Sequence, residues 1–101
     1  MTDRPWKAEE RAVAELFGGS RYPANQGGLV DIETAGYVIQ VKHRKTVSLA
    51  ELETLAREME RIGAQKSKIG VVVVKRRAGK GTPTPRLVIL TEAAWRTLNE
   101  P

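Results

Sequence analysis

Residues 29–45 read LVDIETAGYVIQVKHRK, and the period of this stretch decides the fold. Two apolar–polar alternations, 29–34 and 37–43, flank Ala35-Gly36, which predicts two β-strands joined by a two-residue turn. In the first strand Val30 and Ile32 share one face, and Asp31 and Glu33 the other. In the second, Tyr37, Ile39 and Val41 share a face and leave Val38, Gln40 and Lys42 opposite. A hairpin closed at Ala35-Gly36 sets Asp31 directly across from Gln40, with Lys42 two residues along on the same face. A four-residue loop preserves that register, whereas a slip by one residue without a bulge separates the three.

Upstream, Asp3 as a cap and Pro5 in the first turn open a helix. Trp6, Val13, Leu16 and Phe17 form its inward stripe, and Gly18-Gly19 stops it. Glu10 falls between Trp6 and Val13, and Glu9 near Leu16, so either acid interrupts that stripe. Arg21-Tyr22-Pro23 is a possible edge strand, followed by the loop Asn25-Gln26-Gly27-Gly28. Downstream, Ser48 and Glu51 form a capping box. It opens a second helix to about Ile62, with Leu49, Leu52, Leu55 or Ala56, Met59 and Ile62 inward and Gly63 at its end. Residues 69–74, IGVVVV, read as a strand buried on both faces. A basic Gly/Pro loop spans 75–85, a strand 86–90, and Thr91 caps a last helix carrying Ala94, Trp95 and Leu98. The order α-β-β-α-β-β-α, with a possible extra edge strand, predicts an α/β fold, a mixed sheet flanked by helices, in one domain over 1–101.

The chain has 101 residues and no cysteine, which excludes a disulfide framework, a thiolate zinc site and a cysteine nucleophile. It lacks an apolar run of membrane-spanning length and a signal-peptide pattern, so a cytoplasmic location without membrane association is expected. The net charge of +5 is unevenly spread. Residues 42–86 hold 12 Lys and Arg against 4 Glu, a net of +8; the rest holds 5 against 8, a net of −3. Such a separation suits a polyanion-facing surface in the second half of the fold.

Acids on a core-facing stripe require a partner, and a cation is one. Asp31, the side-chain oxygen of Gln40, the backbone carbonyl of Val41 and Glu10 (directly or through water) are donors suited to a hard divalent cation. Lys42 beside them is placed to orient or deprotonate a water and to neutralise charge developing on a phosphoryl group. Phosphodiester hydrolysis is the chemistry this set would serve.

Asp31 followed after eight residues by Gln40-Val41-Lys42 resembles the D-x(n)-(E/Q)-x-K signature of the PD-(D/E)xK nuclease superfamily, the restriction-endonuclease-like fold. The likeness spans Glu10 to about Val74. Glu10-Arg11 with Val13 and Phe17 is similar to the first helix of archaeal-type Holliday junction resolvases. QVKHRK, followed by a capped helix and the VVVV strand, resembles the catalytic domain of Mrr-type restriction enzymes. The resemblance implies that Asp31 and Gln40 are catalytic metal ligands, Lys42 the catalytic lysine and Glu10 an auxiliary ligand. It further implies Mg²⁺, with Mn²⁺ able to substitute. Val30 stands where the signature has proline, and Gln40 where it more often has an acid, which removes one negative charge from the site.

Lys75, Arg76, Arg77 and Lys80 in the Gly/Pro loop are candidate contacts to the phosphate backbone, against the alternative of a solvated loop. Arg44 and Lys45 extend that surface, Arg21 is a further candidate, and Asn25, Gln26, Gly27 and Gly28 would let a backbone approach DNA. Gly79-Lys80-Gly81-Thr82 lacks P-loop spacing. The lone His43 reads as a surface residue at a strand end, and Trp6 and Trp95 as core or dimer contacts. The leading expectation is a structure-specific, junction-resolving DNA endonuclease acting as a homodimer. The alternatives are an Mrr-like enzyme of duplex DNA and a nuclease-fold DNA-binding module without catalysis.

Overall fold

The computed structural model describes residues 5–21 and 28–100, excluding the side chains of residues 5, 6, 20 and 21. The expected Asp3 cap, the Trp6 side chain, Tyr22-Pro23, the Arg21 side chain and Asn25, Gln26 and Gly27 lie outside the described residues. The elements run α1 (Pro5–Phe17), β1 (Ser20–Arg21), β2 (Ile32–Glu33), β3 (Tyr37–Arg44), α2 (Leu49–Gln65), β4 (Ile69–Arg76), β5 (Arg86–Ile89) and α3 (Glu92–Asn99). One mixed sheet has the order β1-β2-β3-β4-β5. Its β3–β4 pair is parallel and the others antiparallel.

Four of the helix boundaries have a local cause. Gly18, at φ +74°, donates to the Glu15 carbonyl, and Gly19 to that of Ala14, so α1 ends in a glycine-based reverse turn that satisfies its last carbonyls. Ser48 Oγ accepts from the Glu51 amide at 3.0 Å and Thr91 Oγ1 from the Ala94 amide at 3.1 Å, capping α2 and α3. Helix α2 continues past Gly63 to Gln65. Its stop is Ser67, at φ +57°, with the Lys68 amide bonding the Gly63 carbonyl at 2.8 Å. Gly63 serves packing instead: a Cβ there would stand 2.6 Å from the Lys68 carbonyl, and one on Gly70 would stand 1.8 Å from that of Met59. The two glycines let α2 lie directly on the start of β4.

Two apolar layers result. Val13 and Ala14 of α1 pack with Ile32, Ile39, Val41, Val71 and Val73 on one face of the sheet. On the other face Ala56 and Met59 of α2 pack with Val30, Val38, Val72 and Val74. Strands β3 and β4 are thus covered on both sides, as their β-branched composition requires. Helix α3 buries Ala94 and is tied to α2 by the Thr91 hydroxyl donating to Glu60 at 2.7 Å. Leu16, expected in the inward stripe, is exposed, as are Leu49, Trp95 and Leu98.

The hairpin differs from expectation on its first strand. Only residues 32–33 are β2, paired Ile32 to Ile39 and Glu33 to Val38 as the Ala35-Gly36 turn dictates. Thr34 secures that turn, its amide bonding the Tyr37 carbonyl and its hydroxyl accepting from the Gly36 and Tyr37 amides. Beyond Ile32 the alternation breaks. The Asp31 amide donates to Ile39, the residue already across from Ile32. Val30 and Ile32, two apart, sit in opposite apolar layers. Two residues therefore face one, which is a β-bulge at Asp31. The expected shared face for Val30 and Ile32 is corrected accordingly.

Candidate active site

Asp31 owes its position to the bulge. It does not sit squarely across from Gln40; its carboxylate turns back into the plane of the sheet. There Oδ2 accepts the Val41 amide at 2.8 Å, a donor that β2 is too short to pair. The Gln40 amide nitrogen lies 3.4 Å from the same oxygen. Asp31, Gln40 and the Val41 backbone therefore meet, as the spacing predicts, through side-chain-to-backbone bonding and not through direct cross-strand pairing.

Gln40 is 7% exposed, and its Oε1 is buried with no hydrogen-bond partner. Leaving a carbonyl oxygen desolvated and unpaired costs about 1–3 kcal/mol. Rotating the amide would set that oxygen against the Asp31 carboxylate unless a cation lay between them. Lys42 follows two residues later, half-buried on the same face of β3 and level with Val74 of β4. Among the described residues it has no carboxylate partner.

The acids of α1 are placed differently from expectation. Glu9 is the buried one, 5% exposed, and its two oxygens take the Arg86 Nε and Nη2 at 2.7 and 3.1 Å. Glu9 holds the Arg86 guanidinium above its ordinary pKa by hydrogen bonding. This pair joins α1 to the edge strand β5 and excludes Glu9 as the spare acid. Glu10 is half-buried and has an interaction of its own. It belongs to the helix on the Ile39 and Val41 face, whereas Gln40 and Lys42 point to the opposite face. Among the described residues no three His, Cys, Asp or Glu side chains come together in a metal-holding group. The donor set that does converge is Asp31 with the Gln40 amide, which fits an oxygen-seeking cation because one buried oxygen there lacks a partner.

The parallel register gathers the basic residues. His43 lies level with Lys75 and Arg44 with Arg76, and the Arg77 amide bonds the Arg44 carbonyl at 2.7 Å. Arg44, Lys45, Lys75, Arg76 and Arg77 thus cluster where β3 and β4 end, with Lys80 exposed in the following loop. Ion pairing divides the cations further. Arg57, Arg61 and Arg86 have Glu53, Glu58 and Glu9 as partners; Lys66 and Lys68 share Glu33; Arg44 holds Glu51. Hydrogen bonds from Lys68 and then Lys66 keep the Glu33 carboxyl below its ordinary range. Among the described residues of the basic segment, Lys42, Lys45, Lys75, Arg76, Arg77 and Lys80 lack a carboxylate partner. Apart from Lys80 in its loop, these cations lie on or beside the last residues of β3 and β4, where Arg44 is the one engaged with an acid among the described residues.

Sequence reading missed the structural commitment of Glu9, whose partner lies far along the chain, and the half-burial of His43, whose Nδ1 is enclosed without a partner. No helix among the described residues is long and apolar enough to cross a membrane. No family model, curated protein or solved structure matches the chain.

Proposed function

We propose that this chain is a divalent-metal-dependent DNA endonuclease of restriction-endonuclease-like fold, hydrolysing phosphodiester bonds at Asp31, Gln40 and Lys42. The observation that carries the reading is the buried, unpartnered Gln40 Oε1 beside the Asp31 carboxylate and two residues from Lys42. Asp31, Gln40 and the Val41 carbonyl would hold Mg²⁺, or Mn²⁺ in its place. Glu10, on the helix that covers the opposite face of the sheet, is left out of this ligand set. The chemistry supplied by the bound ion is an acidified water and charge neutralisation on a phosphoryl oxygen. Lys42 would orient the attacking water or, as the free amine, accept its proton, and the resulting ammonium would neutralise charge developing on the phosphate. The Val41 amide fixes the Asp31 carboxylate so that it need not reorganise during the reaction. The other five uncompensated cations, Lys45, Lys75, Arg76, Arg77 and Lys80, bind the DNA backbone, giving affinity that falls steeply with salt. A basic surface that meets the backbone suits DNA shape more than base sequence, so a branched substrate cut by a cytoplasmic homodimer is the favoured form. Trp95 and Leu98, exposed on α3, are the apolar surface offered for dimerisation. The Mrr-like reading, cutting ordinary duplex, differs only in substrate.

One observation favours a second reading. Asp31 Oδ2 already completes the sheet by accepting the Val41 amide, which a DNA-binding module without catalysis would equally require. Cleavage of four-way junction, flap and linear duplex in Mg²⁺ and Mn²⁺ separates the two. The enzyme cuts, and Lys42→Ala abolishes cutting while leaving the melting temperature within a few degrees. Tight binding without cutting in either metal leaves the module.

A further inference from the structure

A cavity of about 470 Å³ opens beyond Lys42, at the end of the parallel strand pair. Its floor is aliphatic: Val47, Leu52, Val74, Pro85 and Leu87. Its mouth carries Arg44, Lys45 and Arg76, and none of the described residues lining it is an acid. Arg44 is braced from behind by Glu51, whereas Lys45 and Arg76 have no carboxylate partner among the described residues. The cavity lies where α2 leaves the start of the edge strand β5 uncovered, whereas Ile89 further along packs with the α2 layer. Leu87, across from Val74, faces the α2 side of the sheet yet stays half exposed. Thr84, whose hydroxyl bonds the Arg76 carbonyl at 2.7 Å, ties the loop down as the far wall. Clefts at the carboxyl ends of parallel strands are common ligand sites, and this volume lies in the range of small-molecule pockets.

We infer that this cavity receives one unstacked nucleotide of a DNA strand, its base against the aliphatic floor and its phosphate at Arg44, Lys45 and Arg76. The charge pattern selects that occupant: an apolar body with an anionic end matches an apolar floor under a cationic rim. A paired base in a duplex cannot enter, so entry requires a base already freed or cheaply freed, as at a branch point, gap or frayed end. Arg44 follows Lys42 by two residues on the same face of β3, about 7 Å along the strand. The pocket is therefore next to the proposed hydrolytic site, and it would supply the preference for branched DNA. This inference rests on the nuclease reading for its DNA strand but not for its chemistry.

The test uses the full ¹⁵N-labelled chain and three probes: deoxyadenosine 5′-monophosphate, deoxyadenosine and inorganic phosphate. The mononucleotide is expected to shift the Val47, Leu52, Val74 and Leu87 amides saturably, at least tenfold more tightly than either control. Leu87→Glu, at a half-exposed edge position, and Thr46→Trp, which fills the mouth, are each expected to weaken it tenfold or more. Equal affinity for phosphate and mononucleotide, or unaltered binding in both variants, overturns the pocket. Decanoate binding as tightly as the mononucleotide also overturns it, since the site would then be selective only for anionic amphiphiles. Because no cleavage is read, the pocket can fail while metal-dependent cutting persists. Conversely, a chain that binds the mononucleotide here and cuts nothing keeps the pocket and loses the nuclease.

Discussion

Replacing Gln40 by Met distinguishes a functional amide from a structural one. The substitution keeps the side chain's length and removes Oε1, which is buried without a partner. Relieving that oxygen is worth about 1–3 kcal/mol. The only hydrogen bond lost is the 3.4 Å contact from the amide nitrogen to Asp31, too long to contribute the ~1 kcal/mol of a typical bond. Asp31 keeps the Val41 amide at 2.8 Å. The net expectation is stabilisation by about 1 kcal/mol, a rise in melting temperature of about 4–8 °C for a domain of this size. That rise should appear in chelator. In Mg²⁺ at a hundredfold excess over its Kd the wild type gains about 2.7 kcal/mol by binding linkage, and Gln40→Met gains much less. The assay is thermal and urea unfolding with and without metal, alongside DNA cleavage, which the variant should lose. A variant that melts below the wild type in chelator, or that Mg²⁺ stabilises equally, refutes the reasoning, because the amide would then be a structural part of the sheet.

Four further outcomes follow from the packing and the ion pairs. Gly70→Ala places a Cβ 1.8 Å from the Met59 carbonyl and should cost about 3 kcal/mol or more in urea unfolding. Gly79→Ala, with nothing within 4 Å, should stay within about 0.5 kcal/mol. Arg86→Ala strands the buried Glu9 carboxylate and should cost about 3 kcal/mol, most of it recovered in Glu9→Leu/Arg86→Met, as a double-mutant cycle would show. Glu33 has a folded pKa below its unfolded value of about 4.3, so its contribution is full above that pH. It is lost as pH falls through the folded value. The stability difference between wild type and Glu33→Gln, measured by urea unfolding across pH 2.5–7, should therefore shrink as pH falls.

Much of the architecture was legible because its causes are local. The Ser48 and Thr91 caps, the Gly18-Gly19 stop and the β-branched run of β4 each declare themselves within a few residues. The Ala35-Gly36 turn likewise set the register of Ile32 and Glu33. The bulge at Asp31 was not legible, because it answers to the length of β2 and the unpaired Val41 amide, which depend on tertiary structure. Gly63 was read as a helix stop from its residue type, yet its smallness serves the approach of β4, and Ser67 takes the left-handed position. Glu9 and Glu10 looked interchangeable on a helical wheel; only the arrival of β5, bringing Arg86, decides which is committed. The basic surface was legible as a charge excess but not as a place. Pairing with Glu9, Glu33, Glu51, Glu53 and Glu58 engages the other cations of the segment, and the parallel register brings most of the remainder together.

The central claim is that Asp31, Gln40 and Lys42 form a hydrolytic centre, and one measurement addresses it most directly. A labelled four-way junction and its matched linear duplex are incubated with wild type, Asp31→Ala and Lys42→Ala in Mg²⁺, in Mn²⁺ and in chelator. The account predicts wild-type cutting in metal only, faster on the junction, and at least a hundredfold loss in either variant with DNA binding retained. Binding without cutting in both metals, or cutting that survives in Lys42→Ala, would contradict it.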